Sequence, residues 1–103
     1  MTYRIVIEPT AEREIRSAFH WITENRSPKA AVSWFNSLEK AIISLKTRPQ
    51  RCPVAAEIDN FPEEIRVLLL GKRQQLYRII FTIWDDTVHI LYVRHAAQDE
   101  IEP

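Results

Sequence analysis

The sequence contains a single cysteine, no apolar run long enough to cross a bilayer, and no excess of either charge. The lone Cys52, set between Arg51 and Pro53 in what reads as a loop, excludes an internal disulfide and supplies no metal cluster. No sequence neighbour marks it as an activated nucleophile. No stretch approaches the roughly 20 apolar residues of a membrane span, and the opening MTYRIVIEPT has no run of signal-peptide type. The expectation is a soluble, cytoplasmic protein. Repeats and low-complexity segments are missing as well. Fourteen Lys and Arg are matched by fourteen Asp and Glu, whereas a free nucleic-acid binder usually carries a basic excess. Along the chain the balance is uneven. Arg66, Lys72, Arg73 and Arg78 occur with no acid between Arg66 and Arg78, while acids gather from Glu57 to Glu64 and from Asp99 to Glu102. The basic run is either a local patch or a solvated turn between strands.

What is present is enough for one core: 103 residues, 46% of them hydrophobic, fit a single domain spanning residues 1–103. The densest β signal runs from Gln75 to His95, QLYRIIFTIWDDTVHILYVRH, where β-branched and aromatic residues flank Asp85-Asp86. It predicts a β-hairpin at the centre of a small sheet. With a two-residue turn, Ile83 faces Val88, Phe81 faces Ile90 and Ile79 faces Tyr92, which makes one apolar face. The opposite face then carries Arg78, Ile80, Thr82, Trp84, His89, Leu91, Val93 and His95. Asp-Asp lacks the glycine that tight hairpin turns prefer, and a longer bulged loop would flip one strand's faces.

Ahead of the hairpin, Tyr3 to Ile7 reads as a strand by alternation, ended by Pro9. Thr10 is the expected N-cap of a helix from Ala11 to about Asn25, whose apolar stripe is Ala11, Ile15, Ala18, Phe19 and Ile22. Ser27-Pro28 restarts the chain as a second helix to about Lys46, since Ser caps an N-terminus and Pro at the first helical position loses only an N–H that has no partner there. Ala31, Phe35, Leu38, Ile42 and Leu45 form its regular stripe, widened by Trp34 and Ala41. Trp21 and His20 read as core or boundary residues. From Thr47 to Pro62 the periodicity is lost and prolines punctuate a long connector. Glu63 to Leu70 is the next strand, with Arg66 opposite in face to Ile65 and Val67, and Gly71 opens the turn into the hairpin. The resulting order is β-α-α-β-β-β, an α+β fold in two layers with a helical hairpin on a mostly antiparallel four-stranded sheet. The expected core is Ile15, Phe19, Ile22, Phe35, Leu38, Ile42, Leu45, Val67, Ile79, Phe81, Ile83 and Ile90.

Several phrases then combine: Leu45-Lys46-Thr47-Arg48-Pro49 closing the second helix, Glu64-Ile65-Arg66-Val67-Leu68, Leu76-Tyr77-Arg78-Ile79-Ile80-Phe81, and Tyr92-Val93-Arg94-His95-Ala96-Ala97-Gln98-Asp99. In this order and spacing the chain resembles the RelE/ParE toxin superfamily over nearly its whole length, on the ParE or plasmid stabilization side. The resemblance implies the toxin of a type II toxin–antitoxin pair, an antitoxin partner, and an oligomer formed with that antitoxin. It implies no cofactor, no metal and no membrane.

The superfamily divides by mechanism. RelE-like members resemble ribosome-dependent mRNA endonucleases, which need cations around the phosphate and a proton carrier. Arg66 and Arg78 are the candidate cations and His95 the candidate acid–base group. Nuclease members continue into a basic residue and a C-terminal tyrosine, where this chain has Ala96-Ala97-Gln98 and then Asp99-Glu100-Ile101-Glu102-Pro103. ParE-like members resemble inhibitors of DNA gyrase that act by binding. For that role the candidate contacts are Arg78, Arg94, His95, Lys72, Arg73 and Trp84. Trp84, Leu91, Val93 and parts of the helical hairpin are the expected apolar surface for an antitoxin. A protein that keeps the fold and has lost toxicity is the third reading.

Overall fold

The computed structural model describes residues 2–98. Its elements are β1 (Arg4–Ile7), α1 (Pro9–Asn25), α2 (Pro28–Ser44), β2 (Ile65–Leu70), β3 (Tyr77–Trp84) and β4 (Thr87–His95), in one sheet ordered β1-β4-β3-β2. The helices form one layer and the sheet the other, as expected, with the β3–β4 hairpin at the centre. The sheet is mixed, because β1 runs parallel to β4 while the other neighbours are antiparallel. No helix among the described residues is long and apolar enough to cross a membrane.

Pro9 starts α1 rather than only ending β1. Glu8 is the N-cap and Pro9 takes the first helical position, where its missing N–H costs nothing. Thr10, the expected cap, instead accepts a hydrogen bond from Arg13 at 3.1 Å. The expected cap of α2 is present: Ser27 Oγ accepts from the Ala30 amide at 3.0 Å.

Between the layers lie Ala11, Ile15, Leu38 and Ile42 from the helices, Leu45 at the C-cap of α2, and Ile79, Phe81, Val88, Ile90 and Val93 from the sheet. Phe35, expected in this core, is 36% exposed and packs edge-on against Phe19 on the flank of the hairpin. Trp34 turns inward in its place and meets Tyr77, with ring centroids 5.1 Å apart. Cys52 is also in this core, and burial raises its thiol above the ordinary value, against smaller opposing effects of Arg51 and Arg66.

The hairpin register agrees with expectation from Trp84↔Thr87 to Phe81↔Ile90, and Asp85 takes the left-handed conformation that a glycine would supply (φ 56°). Beyond Phe81 a bulge intervenes: Ile80 pairs with Tyr92 and Ile79 with Val93, so Leu91 is the extra residue. From there the expected faces of β4 exchange. Val93 and His95 lie toward the helices, and Tyr92 lies on the far face, opposite Ile80. Val67 also belongs to that far face, in register with Ile80, while Leu68 and Leu70 pack toward the helices.

The far face is not bare. The segment 47–62, here called the strap, folds into two short 3-10 turns, Pro49–Arg51 and Ile58–Asn60, and runs beside β2. The Ala55 amide donates to Ile65 O (2.9 Å) and the Val67 amide to Pro53 O (3.0 Å). Ala55, Ile58 and Phe61 thereby close a second apolar cluster over Ile65, Ile80, Val67, Leu91 and Tyr92. The expected connector is a cover. At the β2–β3 turn Gly71 has φ +86°, and a Cβ there would collide with Gln75 O, so only glycine fits.

Candidate functional site

The structure brings most of the candidate residues to one end of the sheet, where β3 begins and β4 ends. Arg78 and Arg94 pair across the ladder, and Tyr77 pairs with His95. The turn carrying the exposed Lys72 and Arg73 closes onto the same end: Gln74 O meets His95, and Leu76 O accepts from the Ala96 amide at 2.8 Å. Trp84 stands apart, at the hairpin end, 71% exposed beside the ring of His89. Arg66 is also separate, on the β2 edge.

Each candidate cation or proton carrier has a distinct setting. Arg78 forms a two-pronged ion pair with Glu57 of the strap, with Nη1 2.7 Å from Oε2 and Nη2 2.5 Å from Oε1, and Glu57 is only 1% exposed. Arg66 ties the strap down, donating from Nη1 to Cys52 O (2.6 Å) and Gln50 O (3.2 Å) and from Nη2 to Glu64 (2.7 Å). His95 uses both ring nitrogens: Nδ1 accepts from the Ala97 amide at 3.0 Å, so the proton is on Nε2, which donates to Gln74 O at 2.6 Å. Its ring stands edge-on to Tyr77 at 5.2 Å. Burial raises the Tyr77 phenol, against a smaller lowering by Arg26.

A groove of about 680 Å³ opens beside His95, between α1 and the end of β4, lined among others by Glu14, Trp21, Tyr77, Val93 and Gln98. Val93, expected on an open surface, is buried beneath α1 as part of its floor. Glu14 Oε1 accepts from the Val93 amide (2.9 Å), and Oε2 lies 3.5 Å from Arg94 Nε. Burial raises the Glu14 carboxyl above the ordinary range, an effect only partly offset by the Val93 amide, Arg94 and Arg13. Among the described residues no three His, Cys, Asp or Glu side chains converge as a metal site requires.

A family model described as ParE toxin of type II toxin-antitoxin system, parDE, matches residues 5–100. The chain belongs to the ParE toxin family. Its fold is similar to that of a chain from the chromosomal ParDE TA system of P. aeruginosa, with a TM-score of 0.75, covering 91% of this chain and 96% of that one. At 12% identity the likeness is one of fold. No curated protein sequence matches the chain.

In this ParE-family fold, two acids that the sequence did not single out hold the site together. Glu57 sits inside Val54-Ala55-Ala56-Glu57-Ile58, and an acid within an apolar loop segment was the signal available for it. Glu14 lies outside the apolar stripe of α1, and only the packing of α1 beside β4 reveals its role. The acidic tail from Asp99 to Glu102, and the positions where nuclease relatives carry their final tyrosine, lie outside the described residues.

Proposed function

We propose that this ParE toxin inhibits DNA gyrase by binding it, and that a cognate antitoxin neutralises it by covering exposed apolar surface. The observation that carries the reading is the engagement of all three groups an RNA-cleaving site would use. Arg66 is spent on strap carbonyls, Arg78 on Glu57, and His95 on Gln74 O and the Ala97 amide. Cleavage requires such groups to touch the phosphate in the transition state. Drawing Arg78 away would leave Glu57 charged and buried, at a cost of several kcal/mol. Recognition of a protein makes no such demand, because exposed groups suffice. For gyrase these are Lys72 and Arg73, with the half-buried rims of Arg94 and His95 beside them, and Trp84 at the other end of the sheet. For the antitoxin they are Trp84 and the exposed apolar residues of the helices, Trp21, Val32, Phe35 and Ile43.

Supercoiling by purified gyrase and mRNA cleavage on ribosomes, run in parallel, test the proposal. The wild-type chain is expected to block supercoiling without cleaving mRNA. Lys72→Ala/Arg73→Ala should need about tenfold more toxin, as for the loss of roughly 1–2 kcal/mol of contact. Ribosome-dependent cleavage abolished by His95→Ala would install the nuclease reading. A folded chain inactive in both assays would indicate lost toxicity.

A further inference from the structure

The free edge of β1 matches a second copy of itself, and we propose that two chains pair β1 to β1, antiparallel about a two-fold axis at Val6, into a continuous eight-stranded sheet. The argument begins with the backbone. The Arg4 amide donates to Asp86 O (2.8 Å) and the Glu8 amide to Ile90 O (3.0 Å). Backbone groups alternate sides along a strand, so positions 4, 6 and 8 face β4 while the N–H and C=O of Ile5 and Ile7 face outward. The outward amide of Tyr3 is taken by Lys46 O at 2.9 Å, and Pro9 has no amide to offer. Among the described residues, what stays open is the short edge Ile5–Ile7, the kind of unpaired ladder that templates pairing with another strand.

One register uses all of it. With Val6 on the axis, Ile5 stands opposite Ile7 of the copy and Ile7 opposite Ile5, and each pair exchanges two hydrogen bonds. Moving the axis to Ile5 or Ile7 brings Tyr3 or Pro9 into the ladder, and a one-residue slip sets outward groups against inward ones. The same register places Arg4 opposite Glu8 of the copy, and Glu8 opposite Arg4. Charges on an edge strand discourage indiscriminate pairing, but here β1 with the extended Glu8 that follows it, Arg4-Ile5-Val6-Ile7-Glu8, is complementary to its own reverse. The present Arg4–Asp86 contact is loose, at 3.9 Å, so Arg4 is available, while Glu8 also holds His89 Nδ1 at 2.9 Å.

The side chains agree with the backbone. Val6, 41% exposed on the face away from the helices, meets its mate on the axis. On the helix face Ile7, 38% exposed, shares a groove with Ile5, Ile42 and the exposed Ile43 of α2, and the copy supplies apolar contacts to it.

The full chain, made by cell-free synthesis, tests this through its mass in solution. Light scattering should give twice the 12.2 kDa of one chain. Val6→Lys sets two like charges on the axis and should return the single-chain mass with an unchanged circular dichroism spectrum. Arg4→Glu should do the same, and Arg4→Glu/Glu8→Arg should restore the dimer. Opposed residues at a non-hydrogen-bonded antiparallel pair lie about 4.5 Å apart at Cα, within disulfide reach. Val6→Cys should therefore cross-link on mild oxidation and Arg4→Cys should not, native Cys52 being buried. A single-chain mass for the wild type at every concentration overturns the proposal. So does a dimer indifferent to Val6→Lys, or a charge reversal that the double variant fails to rescue.

Discussion

The two faces of the sheet are covered by different means. On one, α1 and α2 lay their stripes over Ile79, Phe81, Val88, Ile90 and Val93, and a charged contact is added only at the β4 rim, where Glu14 accepts from the Val93 amide. On the other, a strap with only two short 3-10 turns covers Ile65 and Ile80, and it is held by few apolar contacts plus two arginines, Arg66 on its carbonyls and Arg78 on Glu57. A helix satisfies its own backbone and can offer a broad apolar face. A strap must find partners for its carbonyls and amides, so its cover is polar at the seams. For this reason the arginines that look catalytic in the sequence serve as fasteners in the structure. Mutations on the helix side should therefore lower total stability, and those on the strap side should act more locally.

Phe81→Ala strikes the helix side at its centre and should lower the free energy of unfolding by about 3–5 kcal/mol, measured by denaturant titration. Glu57→Ala leaves Arg78 beneath the strap without this counter-charge and should cost about 3 kcal/mol. Its signature is local: amide exchange should rise over residues 53–62 and far less in α1 and α2. Equal exchange in both regions would erase the distinction between the faces. Phe61→Ala, on the strap side against Tyr92, removes a half-buried ring and should cost roughly 1–2 kcal/mol. A loss as large as that of Phe81→Ala would make the strap a full second core.

The smallest effect concerns Glu14, on the helix side at the β4 edge. Its carboxyl is raised by burial, so the folded state holds the proton more tightly than the unfolded state does. Stability from this group is therefore present below the ordinary carboxylate value and is lost as pH rises through the raised one. Glu14→Gln should remove that slope, and the wild type should gain relative to the variant on acidification. Denaturation midpoints of the two proteins from neutral pH downward check the sign, and parallel curves would refute it.

Much of the fold was legible in the residues. The alternation in the 75–95 stretch, the stripe of α1, the Ser27-Pro28 restart and the order of elements were all local patterns, and each is present in the structure. Phe35 and Trp34 show where periodicity stops helping: both lie near one stripe, and which turns inward depends on the ring of Tyr77 from a strand far along the chain. The hairpin faces were right only as far as Phe81, because a single extra residue, Leu91, reverses everything after it. Nothing near Leu91 marks it as a bulge. The site was less legible than the fold. Lys72, Arg73, Arg78, Arg94 and His95 are gathered at one end of the sheet while Arg66 stands apart, and neither that division nor their partners could be read from local pattern.

The elements and their order were readable from the residues, because hydrophobic periodicity, caps and turn residues act over a few positions and survive without knowledge of the rest, and the order and spacing of a few phrases carried the family. Tertiary structure alone decided what the charges do. Glu57 and Arg78 are separated by 21 residues and Glu14 and Val93 by 79, and an ion pair or buried carboxylate exists only where two distant surfaces exclude water together. Burial, which sets the worth of such a contact, is a property of the assembled layers and is written at no single position.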